Sequence, residues 1–175
     1  MTGQIYPKIQ EELAKSVAKI EGPGLLDLEQ KVPLLKAVIQ ESMRLYPAAW
    51  MMSRWAKEDS ELDGKRISKG TEVFVCMYSL HRDPKLWERP TEFLPERFLG
   101  NDQGGAEAFS FLPFGAGPHK CVGANFAMTI LQFELALILQ RIKVSPVEGL
   151  TLKPFPRVAL RPEPGALVKV TSRFS

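Results

Sequence analysis

Cys121 is the residue most able to do chemistry, because the residue types around it fix a loop. Residues 109–126 read Phe-Ser-Phe-Leu-Pro-Phe-Gly-Ala-Gly-Pro-His-Lys-Cys-Val-Gly-Ala-Asn-Phe. Pro113, Gly115, Gly117 and Pro118 exclude regular structure and permit left-handed backbone. After Cys121 and Gly123, an apolar-periodic run from Phe126 to Ile138 predicts a helix. Cys121 is thereby expected at a helix N-terminus, where free N–H groups and the positive end of the dipole favour a thiolate. Such a thiolate is a nucleophile or a metal ligand. Zinc would need further Cys or His ligands at short spacing, and only Cys76, His81 and His119 exist. A nucleophile would need a base, and His119 lies awkwardly close, two residues away in the same loop. A second candidate constellation is Glu41 and Arg44. At 100° per residue Glu41 falls at the edge of an apolar stripe, and Arg44 is its i+3 neighbour. Taken alone this is a surface pair worth a few tenths of a kcal/mol, but a carboxylate so placed is half committed to burial and needs a partner.

The elements that must position these groups follow from periodicity and breakers. Residues 4–20, with Ile5, Ile9, Leu13, Val17 and Ile20 among charges, predict an amphipathic helix that stops at Gly22-Pro23-Gly24. Residues 27–46 predict a second helical region, with a short turn at 27–31 and Pro33 opening the main helix. Leu34, Leu35, Val38, Ile39, Ser42, Leu45 and Tyr46 mark its expected buried side. Residues 48–56 predict a strand, and Asp63-Gly64 predicts a hairpin turn. Residues 71–78 predict a strand buried on both faces, with Cys76 in the core. Residues 79–100 read as loop and short helix, Asp83-Pro84 being a helix-start signal. Residues 100–108 read as a flexible surface insert. Short strands are expected at 142–144, 150–152, 158–160 and 167–171, with a tight turn over Arg161–Gly165.

At 175 residues, 45% apolar, the chain is long enough for a real core. A formal charge of +3 is too mild to imply nucleic acid, and two cysteines make no disulfide framework. The N-terminal residues lack a signal peptide's apolar stretch, and no run of apolar residues is long enough for a membrane span. The expectation is a polypeptide that does not itself cross a membrane, without internal repeats.

One further reading of the Cys121 loop needs a single protein ligand: an axial thiolate to a haem iron. Phe114-x-x-Gly117-x-His119-x-Cys121-x-Gly123 resembles the haem-binding loop of the cytochrome P-450 family, the haem-thiolate monooxygenases. The family usually carries Arg two residues before the cysteine, and here His119 stands there. The second helix, the Asp-Gly hairpin, His81-Arg-Asp-Pro and Pro95-Glu-Arg97-Phe98 are similar to the same family in the same order. The resemblance covers essentially all 175 residues and corresponds to the family's C-terminal half. It implies a mainly α fold with small β-sheets (α+β), here as one partial domain over 1–175. It implies haem b (iron protoporphyrin IX), with Cys121 as its metal ligand and Phe114, Gly117, His119, Gly123 and Arg54 as cofactor-binding residues. In that scheme Phe114 packs beside the thiolate, while Arg54 and His119 clamp the haem propionates. Glu41, Arg44 and Arg97 match the family's salt-bridged triad. Ala48, Ala49, Trp50, Met51, Phe155 and Val158 match segments that line the substrate pocket.

The function so implied is insertion of one atom of dioxygen into a small apolar organic substrate. Electrons would come from a flavin or iron–sulfur reductase docking on the Cys121 side, where Lys120 is a candidate contact. Complete members are considerably longer. The N-terminal membrane anchor of many members and the central oxygen-activating helix have no counterpart in these residues, so this half is expected to be inactive alone. The compartment stays open between the cytoplasm and the cytoplasmic side of an endoplasmic-reticulum-type membrane. Two alternatives stand beside this reading: a non-catalytic truncated haem- or partner-binding product, and a haem-thiolate enzyme that rearranges hydroperoxides.

Overall fold

The computed structural model describes residues 6–20, 27–100 and 107–174. The expected Gly22-Pro23-Gly24 breaker, Ile5 and most of the 100–108 insert lie outside the described residues.

Among the described residues, five α-helices and eight short strands follow in order: α1 (Pro7–Val17), α2 (Leu28–Lys31), α3 (Pro33–Leu45), β1 (Met52–Trp55), β2 (Ser60–Leu62), β3 (Lys65–Ile67), β4 (Glu72–Val75), α4 (Met77–Leu80), α5 (Ala124–Arg141), β5 (Ile142–Pro146), β6 (Lys153–Pro156), β7 (Leu160–Glu163) and β8 (Val168–Ser172). Two 3₁₀ turns, Pro95–Phe98 and Gly117–His119, punctuate the long connection before α5. Helices α1 and α3 both open on proline, whose missing N–H is no loss in the first turn. The described strands form four separate antiparallel ribbons, β1–β4, β2–β3, β5–β8 and β6–β7.

The main core brings α1, α2, α3 and α5 together through Leu13, Ala14, Val17, Leu28, Val32, Leu35, Ala136 and Leu139. Side-chain amides tie the same elements. Gln10 donates to the carbonyl of Val144 at 2.8 Å and accepts that residue's amide at 2.7 Å. Gln140 donates to the carbonyl of Val17, which also accepts the Ile20 amide, and to that of Ile20 just past α1. A second cluster of Ala37, Trp87 and Phe98, with Leu86 and Phe111 against it, lies between α3 and the long connection. Helix α5 is apolar on most sides, yet Phe126, Ile130, Leu131 and Ile138 are exposed.

Several sequence expectations need correction. The buried side of α3 is broader than its aliphatic stripe: Ala37, Gln40, Glu41 and Arg44 are buried, whereas Ser42 and Tyr46 are exposed. The first strand is only Met52–Trp55, because residues 48–50 spend their polar groups elsewhere. Ala48 accepts the amide of Leu160 at 2.9 Å, and Trp50 accepts that of Tyr78 at 3.1 Å. Strand β4 is not buried on both faces: Phe74 and Val75, neighbours whose side chains point to opposite sides of the two-stranded ribbon, are both exposed. Cys76 is half-buried rather than core. It precedes α4, and its Sγ accepts the Ser79 hydroxyl at 3.3 Å. The strands expected at 150–152 and 158–160 sit two to three residues later, as β6 and β7. Arg161–Glu163 are therefore strand rather than turn. Pro154, Pro156 and Pro162 are tolerated there because each strand has only one partner. The Asp-Gly hairpin stands as expected, with φ +50° at Asp63 and +71° at Gly64, the pair of positive angles that a type I′ turn demands.

Candidate functional site

Arg44 organises the segment that leads to the Cys121 loop. Its side chain and that of Glu41 are fully buried. Arg44 Nε and Nη2 donate to Glu41 Oε2 and Oε1 at 2.7 and 2.8 Å, a bidentate pair. Nη1 donates to the carbonyls of His81 and Pro90 at 2.6 and 2.7 Å, and Nη2 also to that of Glu92 at 3.0 Å. All five guanidinium donors thus have acceptors, and the plane lies 5.0 Å from the centre of the Trp87 ring. Glu41 Oε1 further accepts the Leu94 amide at 2.8 Å and Arg97 Nε at 3.4 Å, while Arg97 Nη2 donates to the Arg89 carbonyl. Helix α3 therefore grips the chain between 81 and 97 at several backbone points. Its i,i+3 pair is a buried hub, not a surface bridge.

From that segment two contacts reach the start of the loop. Phe111 packs on Phe98 (4.9 Å between ring centres), on Trp87 (6.3 Å, edge-on) and on His81 (5.3 Å). His81, fully buried, accepts the amide of Leu112 at Nε2, 2.9 Å away. The imidazole is therefore neutral with its proton on Nδ1. Burial pushes its pKa down to about 4, the Arg44 and Arg82 cations add to this, and nearby backbone at Arg44 and Met43 offsets part of it. In the sequence, His81 stands out only as a candidate zinc ligand and as the first residue of His81-Arg-Asp-Pro. Its role as the acceptor for Leu112 has no periodic signature and went unseen.

The loop then closes on itself. Gly115 donates to the carbonyl of Leu112 at 3.2 Å, Lys120 to that of Gly117 at 3.0 Å, and Cys121 to that of Phe114 at 2.9 Å. Gly115 and Gly117 have φ of +73° and +67°, conformations that a side chain would strain. Cys121 is exposed, three residues ahead of Ala124, the first residue of α5. A Cβ added at Gly123 would lie 3.9 Å from the thiol sulfur, so the sulfur rests against the glycine. Phe114 and Gly115 are half-buried, and Gly117, His119 and Lys120 are exposed.

Strand β1 borders this loop: a Cβ at Gly115 would come within 3.0 Å of Met52 Cε. Arg54, two residues on and hence on the same face of the strand, is exposed and bonds only to the neighbouring Ser53 carbonyl among the described contacts. The candidate lining residues come together as two touching segments. Trp50 Nε1 donates to the carbonyl of Arg157 at 2.7 Å, and Leu160 donates to Ala48. Ala48, Ala49 and Met51 are exposed, Phe155 is half-buried and Val158 is fully exposed. Among the described residues no three His, Cys, Asp or Glu side chains gather into a metal-binding group, which a zinc site would require. No described helix is long and apolar enough to cross a membrane.

Comparison with known proteins gives the family to which this chain belongs. The family model "Cytochrome P450" matches residues 3–170. The chain is 36% identical over 174 residues to mouse cytochrome P450 3A13, with 97% of this chain and 35% of that protein covered. It is 36% identical over 171 residues to rat cytochrome P450 3A2, covering 97% and 34%. To mouse thromboxane-A synthase it is 34% identical over 174 residues, covering 96% and 33%. The chain belongs to the cytochrome P450 family, the haem-thiolate monooxygenases, and has the partial α+β fold of that family. It spans about a third of the length of these relatives.

Proposed function

We propose that this chain is the haem-anchoring part of a haem-thiolate monooxygenase, with Cys121 as the axial ligand. The observation that carries the reading is the exposed Cys121 sulfur, resting on Gly123 at the mouth of a loop tied at Phe114. A single exposed thiolate suits haem iron, which needs no further protein ligand on that side. When bound, haem would supply activation of dioxygen, favoured by electron density pushed from the thiolate.

The chain's own residues hold and shield. Gly115 and Gly117 let the backbone turn so that Cys121 faces outward, and Phe114 would screen the sulfur from water. His119, exposed in the loop, and Arg54, exposed on the neighbouring β1, would take the propionates by hydrogen bonds. The touching segments 48–51 and 155–160 would present Ala48, Ala49, Trp50, Met51, Phe155 and Val158 to a small apolar substrate. Lys120 would meet the flavin or iron–sulfur reductase. The exposed apolar side chains of α5 support the view that the chain works within a longer polypeptide and does not turn over substrate alone.

The test is haem content and the ferrous–carbonyl spectrum of wild type beside Cys121→Ser, in the polypeptide as its source expresses it. A thiolate-type Soret band in wild type and its loss in the variant are expected. An unchanged band in the variant would refute the assignment.

A further inference from the structure

We propose that His81 is a positioning residue, its imidazole Nε2 holding the Leu112 amide and so joining the Glu41–Arg44–Arg97 hub to the Cys121 loop. The functional consequence rests on the haem-thiolate reading; the structural claim does not.

Three observations converge on it. First, the backbone of His81 is fixed from α3, because Arg44 Nη1 donates to its carbonyl at 2.6 Å. Second, its side chain is fully buried and spends Nε2 on Leu112, 31 residues away in sequence, at 2.9 Å. One residue thus receives a bond from the hub and another from the loop. Third, the neighbouring loop ring, Phe111, packs on the imidazole and on Phe98, so Leu112 cannot drift without disturbing that stack. Downstream, Leu112 offers its own carbonyl to Gly115, and Phe114 offers its carbonyl to Cys121. A shift at Leu112 is passed along two short turns to the sulfur.

The link works only while Nε2 carries no proton. The charged groups around the ring are Arg44, reaching from α3, and Arg82 beside it, with Glu41 bound to Arg44. Phe111 and Leu112 bring no charge from the loop. Fully buried, with the Arg44 and Arg82 cations nearby, the ring stays an acceptor at neutral pH. Nδ1 is buried with no hydrogen-bond partner among the described residues, so a ring flip offers no second anchor.

Two substitutions separate the bond from mere packing. His81→Phe keeps a ring but removes the acceptor; His81→Gln keeps a carbonyl oxygen at about the same reach. Amide exchange of residues 110–112 and 114 would be measured in both and in wild type, in the polypeptide as its source expresses it. An orphaned buried N–H costs enough that His81→Phe should speed Leu112 exchange by about tenfold or more. Amides in the α1 and α5 core should be unaffected, and His81→Gln should restore most of the protection. Wild-type protection should also fall as pH approaches about 4, whereas that of His81→Gln should not.

The ferrous–carbonyl spectrum supplies the functional readout, with a larger thiol-type fraction expected for His81→Phe than for His81→Gln. Unchanged Leu112 exchange in His81→Phe would overturn the proposal, and so would equal loss in both variants. If His81→Phe does not fold, the glutamine variant alone decides: a protected Leu112 supports the link and an unprotected one refutes it. Failure of wild type to take up haem would defeat the haem reading and leave the exchange result standing.

Discussion

The carboxylate of Glu41 lies 2.8 Å from the amide of Leu94, a residue 53 positions further along the chain. That single acceptor oxygen also serves Arg44 and Arg97. A buried carboxylate with this many donors holds geometry more than it adds stability, because desolvating three ionised groups cancels much of their attraction. Removing one member, in contrast, strands the others. Glu41→Ala and Arg44→Ala should each destabilise by about 3–5 kcal/mol in urea unfolding, and neither protein should retain haem. Arg97 is 10% exposed against 0% for the other two, so water can reach what Arg97→Ala leaves behind. Its cost should be the smallest of the three. Normal haem content in Glu41→Ala or Arg44→Ala would contradict the positioning role of the hub.

The two loop glycines should not respond alike. Alanine at either position is strained by roughly 1–2 kcal/mol, since both have left-handed φ. At Gly117 the added methyl meets nothing, while at Gly115 it meets Met52 Cε at 3.0 Å. Gly115→Ala should therefore lower the unfolding temperature more than Gly117→Ala. In a Met52→Ala background the two should become equal. A persistent difference there would mean that β1 is not what crowds Gly115.

How much of this was legible beforehand depended on the range of the signal. Pro33 and Asp63-Gly64 act within one turn, and the helix start and the hairpin lie where those residues put them. Glu41 and Arg44 were legible as an i,i+3 pair, but their full burial was not. That burial depends on the carbonyls of residues 81, 90 and 92, supplied by a stretch without periodicity. The same limit hid the His81–Leu112 bond and the contact of Trp50 with Arg157, 107 residues apart. Cys76 was misplaced for another reason. Apolar neighbours on both sides suggested a central strand, and nothing local shows that its sheet has only two strands.

His81 makes stability depend on pH in a defined window. Its pKa is about 4 in the folded protein against an ordinary 6.5, so the unfolded chain binds the proton more readily. The stabilisation from keeping the ring neutral is fully present above pH 6.5. It is lost as pH falls toward 4, and no further loss from this group follows below that. The full span corresponds to about 3 kcal/mol. Urea unfolding at intervals between pH 7 and 4 should show this decline in wild type. His81→Gln should lack most of it. Parallel profiles for the two proteins would assign the decline to other groups.

A second acid-sensitive contact joins α1 to the residue after β8. Arg173, just past β8, donates to both carboxylate oxygens of Glu11 on α1 at 3.0 and 3.3 Å, and Lys143 of β5 lies 3.1 Å away. Hydrogen bonds from Arg173, then from Lys143, hold the Glu11 pKa down at about 2. A depressed carboxylate contributes stability above its ordinary value of 4.5, and that contribution fades as pH falls toward 2. The site faces water, so the effect should be local rather than global. Amide exchange of residues 168–174 should quicken in Glu11→Gln at neutral pH, and in wild type between pH 4.5 and 2. The core amides of α3 should be unchanged in the variant at neutral pH. Salt should weaken the wild-type protection in the same segment, as screening requires. Equal exchange in wild type and Glu11→Gln at low salt would show that the β5–β8 pairing alone holds the C-terminal strand.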